Sequence, residues 1–312
     1  MIKTICQPQR SHGGNEHERM KLMSYRIITD STTDLSPDLL YELRLEVIPL
    51  TFLLNGKEYQ DRPYGEEMPA KDFYKAIREG AMPTTSQVTP ERFCEYFEPI
   101  LKGGQDILYL AFSSGLSGTC NAAMIAAEDL AEKYPERRVI VIDTLAASMG
   151  EGLLVYLACL RHEEGMELDE LAEWVREKRL HIAHWFTVDD LHHLKRGGRV
   201  SGAAAFVGTM LNIKPVLHVD DEGHLIPMEK VRGRKTSLDT LVEHMKKTGT
   251  DFSKQTVFIS HSDCLEDAEY VAERVKKDLG VPKVCIGYIG PVIGSHTGVG
   301  TVALFFDASH RN

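Results

Sequence analysis

The chain has 312 residues, 43% hydrophobic and 26% charged, with a formal net charge of −10. That composition fits an ordinary soluble globular protein with enough chain for two modest domains, and the negative balance argues against wrapping a polyphosphate backbone. Six cysteines with no C-x-x-C pair argue against a zinc knuckle or a redox motif. With no apolar core where a secretion signal would have one, a cytoplasmic setting with reduced thiols is the expectation.

Residues 1–24 carry charges and a Gly-Gly pair and read as a disordered extension, with Met20 or Met23 as equally good starts. From there strand-like and helix-like patterns alternate. "YRIITD" reads as a strand, "SPDLLYELR" as a helix opened by Ser36 with Pro37 at its first position, and "EVIPLTFLL" as a strand closed by the "NGK" turn. "AKDFYKAIREG" is helical. Thr89, Pro90 and Glu91 give the next helix an N-cap, an N1 proline and a first-turn acid. "DILYLAF" is a buried strand, followed by "SSGLSGT", a helix, the strand "RVIVID" and two helices between about Ala146 and Lys178. This order predicts an α/β domain over residues 25–180 with a mostly parallel sheet.

Residues 181–312 have a different texture. "HIAHWFTV" and "KPVLHVDDEGHLIPMEKV" read as strands, the second a hairpin about "DDEG". Two further helices and three further strands follow. Strands outnumber crossover helices, so a second α/β (α+β) domain with a mixed sheet is expected. "SGAAAFVGTMLNIKPVL" is apolar nearly all round and rich in small residues, which reads as a buried helix, either packed tight or leaving room for a guest.

Ligands in such sheets lie beyond the carboxyl ends of strands, where helix amides attract anions. The turn with Ser113, Ser114, Ser117 and Thr119 has that position, and "TTSQ", Thr84 to Gln87, is a second hydroxyl cluster in a loop. "GPVIGSHTGVG" is a third, with His296 read as standing in a glycine loop between two apolar strands. Gly115-Leu116-Ser117-Gly118 lacks the spacing of a nucleophile elbow. A triad of Ser114 or Ser117 with His296 and Asp30 or Asp143 stays open without a motif to support it. Neither common nucleotide-binding glycine pattern occurs, and the neighbours His192 and His193 cannot easily share a metal. Hydroxyls, amides and one histidine suit holding a small anion more than transforming it.

Five motifs occur together and in order: "TDSTTDLS", "TTSQVTP", "SSGLSGT", "DDLHHLKRGGRVSGAAAFVGTMLNIKPVL" with "EKVRGRK", and "GSHTGVG". In these the chain resembles the DegV family over about residues 25 to 307. The resemblance implies a two-domain fatty-acid-binding protein with the ligand between its domains. It further implies a carrier, not an enzyme, that presents the carboxylate of a long-chain fatty acid to a separate ATP-binding fatty acid kinase subunit, where acyl phosphate is made. No cofactor or metal is implied beyond the bound acid.

Carried across, the carboxylate site would use Thr85 with Ser86 beside it, Ser114 with Ser117 as its rival, and His296. Ala204, Phe206, Val207, Met210 and Leu211 would line the acyl tunnel, and Arg199, Arg232, Arg234 and Lys235 would dock the kinase. The departures from the family pattern are Val88, Cys120 and Val299, each bearing on tunnel shape or loop rigidity. The alternatives are a regulatory partner protein without turnover and, less favoured, a serine hydrolase.

Overall fold

A computed structural model of the chain describes residues 24–200 and 212–311. Strand β1 (Tyr25–Asp30) lies between β2 (Glu46–Ile48) and β6 (Asp106–Ala111), and β7 (Val139–Asp143) completes a four-stranded sheet in which every pairing is parallel. A small antiparallel sheet in the order β4-β3-β5 comprises β3 (Thr51–Leu54), β4 (Lys57–Gln60) and β5 (Thr84–Ser86). The third sheet is mixed, with six strands in the order β10-β9-β8-β13-β11-β12. Its members are β8 (Ile182–Thr187), β9 (Ile213–Val219), β10 (Leu225–Arg232), β11 (Thr256–His261), β12 (Lys283–Tyr288) and β13 (Val302–Asp307). Only β11 and β12 run parallel in it. A mostly parallel sheet followed by a mixed one is the architecture expected from the sequence.

The helices are α1 (Pro37–Leu43), α2 (Ala70–Arg78), α3 (Pro90–Lys102), α4 (Thr119–Lys133), α5 (Met149–Glu163), α6 (Leu168–Lys178), α7 (Leu191–Gly197), α8 (Arg234–Thr248), α9 (Leu265–Leu279) and α10 (Pro291–Thr297). Local chemistry sets several starts. Ser36 caps α1 by accepting from Leu39 N–H, and Thr89 caps α3 by accepting from Arg92 N–H, each with proline in the first turn. Asn55 and Gly56 both take positive φ, which lets β3 and β4 close as a two-residue hairpin.

Helix α5 joins the halves. It is buried on most sides and packs on β8, β11 and β13 as well as on the 3-10 turn Ser31–Thr33. One apolar cluster therefore runs from Tyr25 and Leu108, through Leu153 and Leu154, to Phe186 and Phe305. Burying such side chains contributes about 1.5–3 kcal/mol each, which makes α5 the main adhesive between the sheets.

Four local expectations change. "EVIPLTFLL" is two strands in different sheets, because Pro49 cannot donate to a ladder and the chain turns there. "TTSQ" is not a loop: Thr84–Ser86 forms β5, paired with β3. His296 is not in a glycine loop but in the last turn of α10, which Pro291 starts and Gly298, at φ 76°, ends. Ile213 to Leu217, offered by the sequence both as the end of the buried helix and, from Lys214, as the start of a strand, lies in β9. Among the described residues Cys94, Cys120, Cys159 and Cys264 are free thiols. The extension and the tunnel residues Ala204, Phe206, Val207, Met210 and Leu211 lie outside the described residues, apart from Ser24.

Candidate functional site

Beyond the carboxyl end of β6 the chain makes the tight turn Ser113 to Gly118 that leads into α4. Ser113 is fully buried and donates to Gly223 O at 2.9 Å, which seats the β9–β10 hairpin tip on the turn. Glycine is required on both sides. A Cβ at Gly115 would lie 3.0 Å from the carbonyl oxygens of Glu222 and Gly223, and one at Gly223 would lie 2.2 Å from Ser113 Oγ. Across the turn, a Cβ at Gly118 would meet Gln87 Oε1 at 2.1 Å, so the end of β5 touches the same turn.

A cavity of about 250 Å³ opens between these elements. Its polar mouth is formed by Thr85, Ser86 and Gln87, by Ser117 and Gly118, and by His296 and Arg199. Phe112, Phe186, Val219, Leu225, Ile293 and Phe305 make it apolar inside. The order is that of a water-facing anion site at the head of a greasy pocket.

His296 is the best-defined group of the mouth. Its Nδ1 lies 3.1 Å from Gly197 O, and since a carbonyl only accepts, that nitrogen carries the proton. Nε2, 2.8 Å from Thr85 Oγ1, then accepts from the threonine hydroxyl. Burial first, and the nearby Arg199 charge second, hold the imidazole down at about 4, so the ring is neutral at pH 7. Glycine again permits the contact: a Cβ on Gly197 would sit 2.7 Å from His296 O. His193 fixes the same seam, with Nε2 2.9 Å from Ser295 O.

Of the residues singled out from the sequence, Thr85, Ser86, Ser117 and His296 share the mouth. Ser114 does not line it; it is exposed, with its N–H on Asp143 Oδ1 at 3.2 Å. Arg199, read as a docking residue, lines the cavity, with Nη1 3.0 Å from Gly197 O and Nε 3.5 Å from Leu116 O. Arg232 and Lys235 are exposed, while Arg234 is spent on Asp267 at 2.8 Å. No acid among the described residues bonds to the His296 ring. Asp30 is buried under Thr32, Tyr109 and Phe112 N–H, and Asp143 accepts from Ser114 and Leu145, so neither completes a triad. Sequence reasoning missed Ser148 and His184, which also line the cavity, because neither stands in a motif.

Among the described residues no group of three or more His, Cys, Asp or Glu is placed to hold a metal ion, and no helix is long and apolar enough to cross a membrane. The arrangement offers hydroxyl donors, a neutral imidazole and one guanidinium to an anionic head group, with an apolar interior behind them.

The profile of the family described as "Uncharacterised protein, DegV family" matches residues 24–309. A DegV domain-containing protein of Clostridium perfringens is 47% identical over 285 residues, covering 91% of this chain and 98% of the relative. Among solved structures, the fatty-acid-binding DegV family protein from Thermus thermophilus superposes with a TM-score of 0.83 at 34% identity, covering 92% of this chain and 100% of that one. The DegV lipid-binding protein from Thermotoga maritima gives 0.82 at 32% identity, covering 93% and 100%. With the match running from β1 through β13, the chain belongs to the DegV family.

Proposed function

We propose that this protein binds a long-chain fatty acid, with the carboxylate at the mouth and the chain in the apolar interior, and presents it in the cytoplasm to a separate ATP-dependent fatty acid kinase subunit. The observation that carries the reading is the polar mouth of Thr85, Ser86, Ser117, His296 and Arg199 opening on a cavity lined mainly by apolar side chains. Support comes from the two structural relatives that bind lipid or fatty acid. Each buried methylene contributes roughly 0.8 kcal/mol, so the chain supplies the affinity and the mouth has only to place the head group. Hydroxyl donors and one cation then hold the carboxylate without a buried ion pair, leaving an oxygen reactive toward phosphoryl transfer.

Docking falls to Arg232 and Lys235, with Arg199 at the carboxylate; recruiting Arg234 would cost its bond to Asp267. The test is to denature the purified chain, extract it into organic solvent and identify the lipid by mass spectrometry. One long-chain acid per chain is expected, and an empty extract, even after incubation with a panel of acids, ends the reading. With ATP and the kinase subunit added, loaded protein is expected to yield acyl phosphate and Arg232→Glu to slow its formation. An unchanged rate would remove Arg232 from the docking surface.

A further inference from the structure

Three segments of the cavity wall meet at a side chain that stands outside the cavity. Arg311, just after β13, is fully buried. Its guanidinium donates to four backbone carbonyls in three segments: Nε to Ile182 O at 3.1 Å, Nη1 to Leu145 O at 2.6 Å and Asp220 O at 3.1 Å, and Nη2 to Arg179 O. Its own N–H donates to Leu180 O at 2.7 Å, which fixes the backbone beside them. Burial lowers its pKa to about 10, with Asp221, Asp220 and Asp143 nearby opposing that, so it is charged at pH 7. A buried charge whose acceptors are carbonyls is costly, and an apolar side chain would fill the space at less cost. What guanidinium alone offers is a rigid fork that reaches several acceptors at once.

The three segments are parts of the wall around the ligand cavity. Leu145 lies in the turn from β7 into α5, ahead of Ala147 and Ser148, which line the cavity. Ile182 opens β8, which contributes His184 and Phe186 to the lining. Asp220 stands in the β9–β10 turn, between the lining residues Val219 and Leu225. Nη1 thus joins the Leu145 turn, next to the parallel sheet, to the hairpin tip of the mixed sheet. The two are already close, since a Cβ on Gly223 would lie 3.0 Å from Leu145 Cα. Leu145 has φ 53°, a left-handed conformation that a leucine keeps only where its surroundings hold it. It is held from both ends, its N–H on Asp143 Oδ1 at 3.0 Å and its carbonyl on Arg311. Turns and hairpin tips are the parts of such a wall that open most easily, and here one side chain ties them together.

We infer that Arg311 is a positioning residue for the bound acid: its guanidinium draws the Leu145 turn, the hairpin tip and the start of β8 together and so keeps the cavity closed on the acyl chain. The inference rests on the acid-binding reading above and adds what governs release. Without the guanidinium the hydroxyls of the mouth and His296 stay in place, but the wall behind them loosens and the chain leaves sooner.

The test is the release of cis-parinaric acid, a fluorescent long-chain acid, from the full chain into an excess of stearic acid. Arg311→Met is close in length and has no donors, and should release the probe about ten-fold faster than wild type, within the worth of hydrogen bonds to a charged group. Leu241→Ala is the comparison. It opens a hole in the apolar cluster that α8 and α9 form on the face of the mixed sheet away from the cavity, so it should lower thermal stability and leave release unchanged. Hydrogen exchange gives the local readout: the amides of Asp220 and Gly223, bonded within the hairpin turn, should exchange faster in Arg311→Met and not in Leu241→Ala. Should Arg311→Met fail to fold, Arg311→Lys takes its place, since it keeps the charge without the span and should release the probe about three-fold faster. Release at the wild-type rate from the Arg311 variant, or an equal acceleration in Leu241→Ala, overturns the inference and leaves acid binding intact. Failure of the wild-type chain to bind the probe overturns both.

Discussion

The mouth and the inner corner of the cavity each hold a neutral histidine with its Nδ1 proton given to a backbone carbonyl, Gly197 O for His296 and Ile182 O for His184. What faces Nε2 differs. At the mouth it is the Thr85 hydroxyl at 2.8 Å, brought from 211 residues away in sequence; at the corner no described group bonds to it. The mouth is assembled from separate pieces, β5, the serine turn and α10, near water, where polar atoms have alternatives. The corner is a buried wall of β8, β13 and α5, where each polar atom either finds a partner or costs free energy. The same ring in the same tautomer is thus a positioned partner in one place and an unmet demand in the other.

Glycine substitutions should break this contrast most visibly. In Gly150→Ala the new Cβ would lie 2.1 Å from His184 Nε2 and 2.7 Å from Phe305 Cδ1, both parts of locked rings. In Gly118→Ala the Cβ would meet Gln87 Oε1 at the same 2.1 Å, but that atom ends a flexible, exposed side chain. Thermal unfolding should show a loss of about 3 kcal/mol at the corner and under about 1 at the mouth. Equal losses would mean that the two regions are equally rigid.

Acid comes next in size. Both rings have pKa values depressed below the unfolded value of about 6.5, that of His296 to about 4. Between those limits the unfolded chain binds protons that the folded chain refuses, so stability falls as pH falls, by at most about 1.4 kcal/mol per pH unit for each ring and less for the partly exposed His296. Urea titrations from pH 7 to about 4.5 should show a shallower loss in His184→Phe and, more weakly, in His296→Phe. A bound carboxylate favours the imidazolium of its neighbour, so a fatty acid should flatten the His296 share and leave that of His184. An identical slope in all variants would show that these rings do not titrate as described.

A capping serine and a capping threonine, the proline after each and an Asn-Gly turn made most elements legible, because those signals act within a few residues. The motif glycines marked the site for a different reason than chain flexibility: Gly115, Gly118 and Gly197 let separate segments close on one another. His296 was found through its motif, but its setting was misread because glycines flank a real helix. Ser148 and His184 were illegible, since a cavity wall built from β8 and the start of α5 depends on how the sheets pack across α5, not on any local spacing. The basic stretches show the same limit. Arg199 lines the cavity while Arg234 pairs with α9, and nothing in the two runs of lysine and arginine tells them apart.

The smallest expected effect tests the mouth itself. Ser114 and Ser117 are three residues apart in one turn, and the sequence left them as rivals for the carboxylate. Ser114 points out of the cavity and is exposed, whereas Ser117 lines it, its hydroxyl 2.9 Å from Thr119 Oγ1 at the start of α4. A hydroxyl shared with a neighbour can turn its proton to a carboxylate while accepting from that neighbour, so it is ready without being spent. Ser117→Ala should weaken binding of a long-chain acid about five-fold, the worth of one hydrogen bond in a partly wet site, and should leave binding of the matching primary alcohol nearly unchanged. Ser114→Ala should change neither by more than about two-fold. The reverse order, with Ser114→Ala the weaker binder, would put the carboxylate outside the mouth, past the turn, and would leave the Thr85 to His296 bond as a strut of the fold with no part in holding the acid.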